Sequence, residues 1–290
     1  MIDFIALALN LAVPLVLAAL AAMIAERAGV ICLGVEGMML FGSFFAVVGS
    51  HYTGKPWIGV LFAILAGLLV GLVYGLFTVP LRGQQVVVGV AINFFASGIT
   101  PMMSQEIWGS SGASSQVNSI PHIDLSGIFG KYVSISCFVP ITLVIVILMW
   151  GFIYKTKYGL RLRMIGDYPL GMQTCGINTN RYKLYAMMAC GVLSALGGAF
   201  LSVSYGNLFV NGMVAGRGYM GVAANIFGGW TPLGGALAAL FFSVVQTLRY
   251  TLTNISIPTQ LMQMLPYVVT LFALVIFGRN SKTPEGLGKV

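Results

Sequence analysis

Long apolar runs occupy most of this chain. A helix needs about 20 apolar residues to cross the roughly 30 Å hydrocarbon core of a membrane, and runs of this order recur along the whole sequence. Only 8% of the 290 residues are charged, against about 25% in an ordinary soluble domain. A closed β-barrel would show short segments of alternating hydrophobicity instead. We therefore predict an all-α, polytopic transmembrane helix bundle.

One shorter segment accompanies the clear runs. Met213–Gly229 is apolar but rich in glycine, which leaves a short crossing, a broken helix and a re-entrant hairpin open.

The first run carries Asp3 where a secretory signal would be basic, so we interpret it as a transmembrane helix and not as a cleaved leader. With the short segment we predict about nine crossings, within eight to ten, in a single membrane domain, 1–290. The clear runs are Phe4–Ala25, Val35–Ser50, Trp57–Leu81, Gln85–Ser104, Val133–Tyr154, Tyr182–Tyr205, Leu233–Tyr250 and Thr259–Phe277.

Basic residues concentrate in particular connections between these runs. The segment 155–183 is rich in Lys and Arg and contains one acid, Asp167. Lys and Arg are retained on the cytoplasmic side of membrane proteins. We therefore predict that this loop and the basic tail 279–290 are cytoplasmic. The loop 105–132 and the N-terminus then lie on the outer side.

The charge and the cysteines argue against several other classes of protein. The formal net charge is +8, but nucleic-acid binding needs basic residues gathered on one exposed face, and here they are spread over short loops. The cysteines show no CxxC spacing, so a disulfide framework or a metal site is not expected. We interpret them as small buried hydrophobic residues. They are Cys32, Cys137, Cys175 and Cys190.

The sequence contains no recognisable catalytic constellation. Its two histidines fall in predicted outer loops, so no triad or metal cluster can be assembled around them. A phosphate-binding loop requires GxxxxGK[ST]. The Gly-Lys pairs are Gly54-Lys55, Gly130-Lys131 and Gly288-Lys289, and none of them is followed by the Ser or Thr that the motif requires; Gly288-Lys289 also has Thr283 in place of the first glycine and Val290 in place of the hydroxyl residue. We therefore expect no enzymatic activity and no ATP site of this type in the chain.

Two glycine patterns bear on helix packing. Gly67, Gly71 and Gly75 recur every four residues, so they share one helix face on which a neighbouring backbone can approach closely; a glycine hinge is the alternative. The stretch Ala28–Val35 also resembles Ala215–Val222, and the predicted topology sends the two through the membrane in opposite directions. This similarity is either a possible inverted repeat or a coincidence in a chain rich in glycine and alanine.

Four polar residues at predicted membrane depth are candidates for a solute path or its gate. A charge in an apolar run is costly unless it is paired or faces a polar cavity. For the glutamate among them, the alternative is a structural carboxylate satisfied by the backbone or by Arg27. For the amides, as for Gln246 and Gln263, the alternative is an interhelical hydrogen bond. The candidates are Glu36, Asn93, Arg217 and Asn225.

The basic loop is more elaborate than a connection requires. Amphipathic and glycine-flanked pieces alternate in Tyr158–Asp167, and a second piece runs from Pro169 to Asn178. Such a loop either only sets the topology or forms a short helix that docks on a partner protein.

One stretch carries a family resemblance. Glu26–Leu40, with the sequence ERAGVICLGVEGMML, resembles the ERxGVxNLGxEGxML signature of permease subunits of bacterial ABC importers. These belong to the branched-chain amino acid and simple-sugar superfamily, and the chain is most similar to its nucleoside-type branch. Cys32 departs from the asparagine that is usual in the family. Further matching stretches are Gln85–Asn93, Gly159–Asn180, Gly212–Tyr219 and Ile226–Gly234.

The resemblance implies a set of partners in a bacterial cytoplasmic membrane. They are a second, related permease, an ATP-binding subunit that holds ATP and Mg²⁺, and an extracytoplasmic substrate-binding lipoprotein, with no cofactor in this chain. The basic loop would then carry the coupling helix that contacts the ATPase. The residues implied in coupling are Gly159, Leu160, Arg161, Arg163, Gly166, Asp167 and Gly176.

The resulting hypothesis is an ABC importer permease for nucleosides or related small polar solutes. Simple sugars are an alternative cargo for the same kind of permease. A different class, an ion-coupled secondary carrier, is suggested by Glu36 and by the possible repeat. An integral membrane enzyme is disfavoured, because the sequence offers no acid/base pair and no metal ligands.

Overall fold

The computed structural model of the chain describes residues 2–124, 134–251 and 283–288. The predicted helix Thr259–Phe277, which includes Gln263, lies outside the described residues. So do most of the predicted tail 279–290 and part of the predicted loop 105–132.

Helices make up most of the described chain. A two-stranded antiparallel ribbon, with Ile123 opposite Ile135, is the only sheet in the described ranges. The predicted all-α class is therefore confirmed. The elements are α1 (Ile2–Arg27), α2 (Val35–Thr53), α3 (Pro56–Thr78), α4 (Gln85–Trp108), β1 (His122–Asp124), β2 (Ser134–Ser136), α5 (Phe138–Lys155), α6 (Lys157–Asp167), α7 (Pro169–Thr174), α8 (Thr179–Ala199) with a π-helical continuation (Phe200–Tyr205), α9 (Arg217–Phe227) and α10 (Pro232–Thr251).

Several of these helices are suited to a membrane. α2 has 19 residues but carries Glu36 in its first turn and His51 in its last, and α10 contains a shorter apolar stretch, Pro232–Leu248. The total of about nine crossings stays a prediction, because part of the chain is not described. The helices that are long and apolar enough to cross a membrane are Asp3–Arg27, Pro56–Thr78, Gln85–Trp108, Phe138–Lys155 and Thr179–Tyr205.

Two predicted boundaries next to the loop 105–132 differ from the structure. α4 continues to Trp108 instead of ending near Ser104, and it stops at Gly109, whose φ of 69° gives the left-handed conformation that commonly ends helices. α5 begins at Phe138 instead of Val133, because strand β2 occupies the residues before it. The connection between the two helices therefore runs from 109 to 137 and includes the strands β1 and β2.

The end of α1, the helix α6 and the last described residues lie together. The amide of Gly286 donates to the carbonyl of Gly166 at 2.8 Å, and the amide of Gly288 donates to the carbonyl of Gly29 at 3.1 Å. We call this the basic end of the bundle, after the Lys and Arg residues of the segment 155–183. The described residues 283–288 and the helix α6 thus lie at one end of the bundle, and the cytoplasmic location of this end stays a prediction.

The segment Met213–Gly229 passes through the bundle in two parts. Its first part is a series of turns, and Gly216, with φ of 80°, precedes α9. α9 has 11 residues, so it spans about 16 Å, roughly half of the hydrocarbon core. Asn211 bonds to Gly112 at the end opposite the basic end, and Trp230 lies beside the end of α1. The passage is therefore a broken one, which is among the predicted forms.

The core and the periphery of the bundle differ in exposure. Every residue from Leu11 to Glu26 in α1 is buried, where this helix contacts α8, α9 and α10. α2, α3 and α8 also pack on one another. α4 and α5 instead present apolar side chains outward, with Phe94 73% and Leu148 64% exposed. Large exposed apolar faces of this kind mark contact with lipid or with another protein.

The predicted glycine face of α3 lies against α8. A side chain at Gly67 would collide with the carbonyl oxygen of Gly191. A Cβ at Gly71 would lie 2.5 Å from the carbonyl oxygen of Met187, and one at Gly75 would lie 2.8 Å from Leu184. The two helix backbones are therefore close enough that only glycine fits between them, which is how small residues favour helix association in membranes.

We expect Gly67→Ala to destabilise the protein by about 1–3 kcal/mol, because the added methyl group forces α3 and α8 apart. The unfolding midpoint of the purified chain in detergent measures the effect. Gly98→Ala is the matched control, since no heavy atom of a neighbouring described element lies within 4 Å of a Cβ there. Equal midpoints for the two variants would show that the glycine face is not a tight contact.

Candidate functional site

The first turn of α2 meets the first turn of α9 inside the bundle. One carboxylate oxygen of Glu36 accepts a hydrogen bond from the amide of Gly216 at 2.8 Å, and the other accepts from the amide of Gly218 at 2.8 Å. A helix N-terminus has unsatisfied amides and a partial positive charge, which a carboxylate complements. α9 has no side-chain cap of its own. Glu36 therefore caps α9 from another helix.

This contact explains how the charge of Glu36 is accommodated. Of the two structural partners considered from the sequence, the geometry gives the backbone and not Arg27, which bonds elsewhere. The approach is close, because a Cβ at Gly218 would lie 2.7 Å from the Cα of Glu36. A glycine at this position lets the carboxylate reach both amides.

Asn93 of α4 completes the same cluster. Its Oδ1 accepts from the amide of Gly37 at 2.8 Å, and its Nδ2 donates to the carbonyl of Leu33 at 2.9 Å and to the hydroxyl of Tyr219 at 2.7 Å. Asn93 thus connects α4 to the start of α2 and to α9. We call Glu36, Asn93, Gly218 and Tyr219 the central cluster. Tyr219 was not predicted from the sequence, and its exposed ring makes it a part of the cluster that another molecule can reach.

Arg217 folds back on the turns that precede α9. Its Nη1 donates to the carbonyls of Met213 and Val214 at 3.0 and 3.1 Å. Its Nε is buried without a hydrogen-bond partner in the described part of the chain. The structure therefore places this predicted site residue next to the central cluster, where it braces the break in the passage.

A second cluster lies at the other end of α9. The carboxylate of Glu26, which is buried, accepts from Nδ2 of Asn225 at 2.8 Å and from Nε1 of Trp230 at 2.5 Å. Nε of Arg27 donates to the carbonyl of Trp230 at 2.7 Å. We call Glu26, Arg27, Asn225 and Trp230 the basic-end cluster. Asn225, a candidate for the path, is fully buried here and serves as a hydrogen-bond donor between helices.

Glu26 and Trp230 are site residues that the sequence did not predict. Both occur in stretches that carry the family resemblance, so the signal was present. Their pairing was not visible, because the two residues are 204 positions apart and a single sequence does not report such contacts.

Cys32 lies at the position where the family usually has asparagine. Its Sγ is 3.5 Å from the Sγ of Cys190 in α8, and both cysteines are buried and unbridged. The loop before α2 therefore contacts α8 here through two thiols. Such groups behave as small hydrophobic residues with weak hydrogen-bonding capacity.

The predicted coupling loop forms two short helices, α6 and α7. Oγ1 of Thr156 caps α6 by accepting from the amide of Gly159 at 3.1 Å. Gly159 and Gly166 are buried, and a side chain at Gly166 would collide with the carbonyl of Arg27. α7 ends near Gly176, which has φ of 76°. The glycines of this loop therefore fix α6 closely against the bundle.

The remaining predicted coupling residues point in different directions. Nη1 of Arg161 donates to the hydroxyl of Tyr182 on α8 at 3.0 Å, and the guanidinium of Arg163 lies 4.9 Å from the ring centre of Tyr154 on α5. Leu160 is 54% exposed and lies on the face of α6 opposite its buried residues. Asp167 follows seven positions later, so it lies on the same face as Leu160. Leu160 and Arg161 are both exposed, so the coupling role that the sequence predicts for them stays a prediction.

We expect Glu36→Gln to lower the free energy of unfolding by about 1.5–3 kcal/mol, because one of two charge-assisted hydrogen bonds is lost. The NH₂ group of the new glutamine also faces a backbone N–H, and two hydrogen-bond donors cannot bond to each other. Thermal unfolding of the purified chain measures the change. Glu106→Gln removes an exposed carboxylate and is the control. An unchanged midpoint for Glu36→Gln would mean that the carboxylate does not hold α9.

The chain is similar in sequence to several known transport proteins. The guanosine ABC transporter permease protein NupQ of Bacillus subtilis is 31% identical over 96% of this chain and 92% of its own length. The nucleoside ABC transporter permease protein NupC of Lactococcus lactis is 31% identical over 95% of this chain and 92% of its own length. A putative glucose ABC transporter permease protein, TsgC13 of Haloferax volcanii, is 29% identical over 84% of this chain and 75% of its own length.

The fold has a solved neighbour as well. An inward-facing structure of a putative metal-chelate type ABC transporter matches with a TM-score of 0.52 over 94% of this chain and 85% of the other, at 15% identity, and this shows the fold alone. The family model of the branched-chain amino acid transport system permease component matches residues 4–274. The chain therefore belongs to the branched-chain amino acid transport system permease component family.

Proposed function

We propose that the chain is the permease subunit of an ATP-driven importer and that its cargo is a nucleoside or a related small polar solute. The observation that carries this proposal is the pair of relatives named for guanosine and for nucleosides, which match nearly the whole of both chains. As a permease-family protein with several helices suited to crossing a membrane, the chain is a multi-pass transport component. A simple sugar is the second candidate cargo, because of the relative named for glucose.

The proposed orientation follows from charge. The basic end carries the Lys and Arg residues of the segment 155–183, and such residues are retained in the cytoplasm. We propose that the basic end, with α6 and the tail, is cytoplasmic and that the N-terminus lies outside. The membrane is then the cytoplasmic membrane of a bacterium.

The proposed partners supply the energy for transport and deliver the solute. An ATP-binding subunit would hold ATP and Mg²⁺ and would contact α6 and α7 from the cytoplasm. A second permease would form the solute path together with this one, and an extracytoplasmic lipoprotein would deliver the solute. The exposed apolar faces of α4 and α5 support contact with lipid and with a second permease.

The central cluster is the proposed support of the path. Glu36 and Asn93 hold the break between the turns and α9, and broken helices at membrane depth are common where transporters bind or gate their cargo. Tyr219 and Asn93 reach the surface of the cluster, where hydroxyl and amide groups suit a polar solute. Arg217 braces the turns, and Asn225 holds the basic-end cluster.

The class of transporter is tested by purifying the tagged chain from its native membrane and identifying the proteins that accompany it. We expect a second permease and an ATP-binding subunit, with ATP hydrolysis that the binding lipoprotein stimulates. Uptake of labelled guanosine into liposomes that contain this complex should require ATP in the liposome lumen.

The controls separate the alternatives. Competition by excess unlabelled guanosine but not by glucose supports nucleoside cargo, whereas the reverse result supports a sugar. Uptake by the purified chain alone, driven by a proton or sodium gradient, would contradict the proposal and favour an ion-coupled carrier.

The contact with the ATP-binding subunit yields a separate prediction. Leu160 and Met164 lie on the outer face of α6 and are 54% and 44% exposed. Changing both to Glu should reduce the retained ATP-binding subunit at least about tenfold, because each loses an apolar contact worth about 1.5–3 kcal/mol when fully buried. Quantitative mass spectrometry of the purified complex measures the retention.

The matched control is the double change Tyr52→Glu and Val210→Glu. These side chains are also exposed, but they lie at the end opposite the basic end. Loss of the ATP-binding subunit from the control as well, or full retention in the α6 variant, would contradict the proposed docking face.

A further inference from the structure

A cavity of about 250 Å³ lies at the basic end, between α1, α5, α6 and α8. Its inner wall is made of the buried side chains of Ile24, Leu162 and Ala186. Phe152 and Ala189 extend this apolar lining along α5 and α8. The cavity lies where the end of α5 meets the first half of α8, and both helices are suited to crossing a membrane.

Tyrosines surround this cavity. Tyr158, Tyr182 and Tyr185 belong to its lining, and the rings of Tyr158 and Tyr185 are exposed. Tyrosine concentrates at membrane–water interfaces, where its ring lies among acyl chains and its hydroxyl among head groups. An apolar cavity with a rim of tyrosines at the end of two membrane helices therefore suits a molecule with the same division between apolar and polar parts.

The polar side of the rim is cationic. Arg161 bonds to Tyr182 at 3.0 Å, which sets the guanidinium at the edge of the cavity, and this bond raises the pKa of Arg161 above its usual value. A guanidinium has five N–H donors and binds phosphate oxygens well. Lys155, Lys157 and Arg163 are close in sequence and belong to the same end. The charge around the rim is therefore complementary to an anion.

We infer that this cavity binds an anionic phospholipid of the leaflet at the basic end. One acyl chain would occupy the apolar cavity, and the phosphate would accept hydrogen bonds from Arg161 and the hydroxyl of Tyr182. A soluble partner protein is a poorer occupant, because three of the four helices that line the cavity are suited to crossing a membrane and the outward face of α6 points elsewhere. The bound lipid would join α6 to α8, so that the position of the helix proposed for coupling depends on anionic lipid.

Native mass spectrometry of the full chain in detergent tests this inference. We would add dioleoyl-phosphatidylglycerol or dioleoyl-phosphatidylcholine, which share their acyl chains and differ in net charge. We expect the wild type to retain the anionic lipid about fivefold more than the zwitterionic one, since one basic residue near a membrane surface contributes about 1 kcal/mol. Arg161→Gln should remove this preference.

Two further variants locate the binding. Arg82→Gln removes a cation from an exposed turn outside the cavity and should leave the preference unchanged. Ala189→Phe should fill the cavity and lower the retention of both lipids. Unfolding midpoints of all variants identify any that are misfolded, and Ala186→Leu is a smaller filling change if Ala189→Phe is among them.

Equal retention of the two lipids by the wild type would overturn the inference, and so would an unchanged preference in Arg161→Gln. Normal retention in a folded cavity-filling variant would overturn the placement of the acyl chain. These measurements use the chain by itself, so they can fail without affecting the proposed importer function, and the importer can fail without affecting them.

Discussion

The carboxylate of Glu36 at the start of α9 is the interaction on which the interior of this bundle depends. A half-length helix within a membrane exposes amides that water cannot satisfy, and each unsatisfied group there costs several kcal/mol. Glu36 satisfies two of them and adds a negative charge where the helix dipole is positive. Asn93 then fixes the backbone on either side of Glu36. The break in the passage and the charge in the apolar run thus stabilise each other.

The opposite end of α9 depends on a second carboxylate from the same stretch of sequence. Glu26 binds Asn225 near the end of α9 and Trp230 just beyond it. The two glutamates of the signature-like stretch are ten positions apart, and between them they hold both ends of an 11-residue helix. This gives a physical reason for both acids in that stretch, since removing either would release one end of α9.

The sequence allowed the general architecture to be predicted but not these contacts. Apolar length and periodicity identify membrane helices because the bilayer imposes the same requirement on every segment. The spacing of Gly67, Gly71 and Gly75 likewise indicates a close helix contact, although not that α8 is the partner. The pairing of Glu36 with Gly216 joins residues 180 positions apart and depends on how the helices pack. The bond of Arg161 to Tyr182 shows the same limit, because the two residues lie on different helices and the sequence does not report their contact.

The basic-end cluster also connects the helix α6 to the centre of the bundle. Gly166 of α6 packs directly on the carbonyl of Arg27, and the Arg27 side chain bonds to the carbonyl of Trp230. A shift of α6 therefore reaches the anchor at one end of α9, and the other end of α9 rests on Glu36. Coupling between distant sites requires an element with two arrangements. A short helix that is held at both ends by side chains of other helices can tilt when the hydrogen bonds to those side chains change partners. The backbone hydrogen bonds within the helix are kept during such a tilt. In the proposed importer, α9 would thus carry a movement of the coupling helix to the central cluster as a single rigid piece.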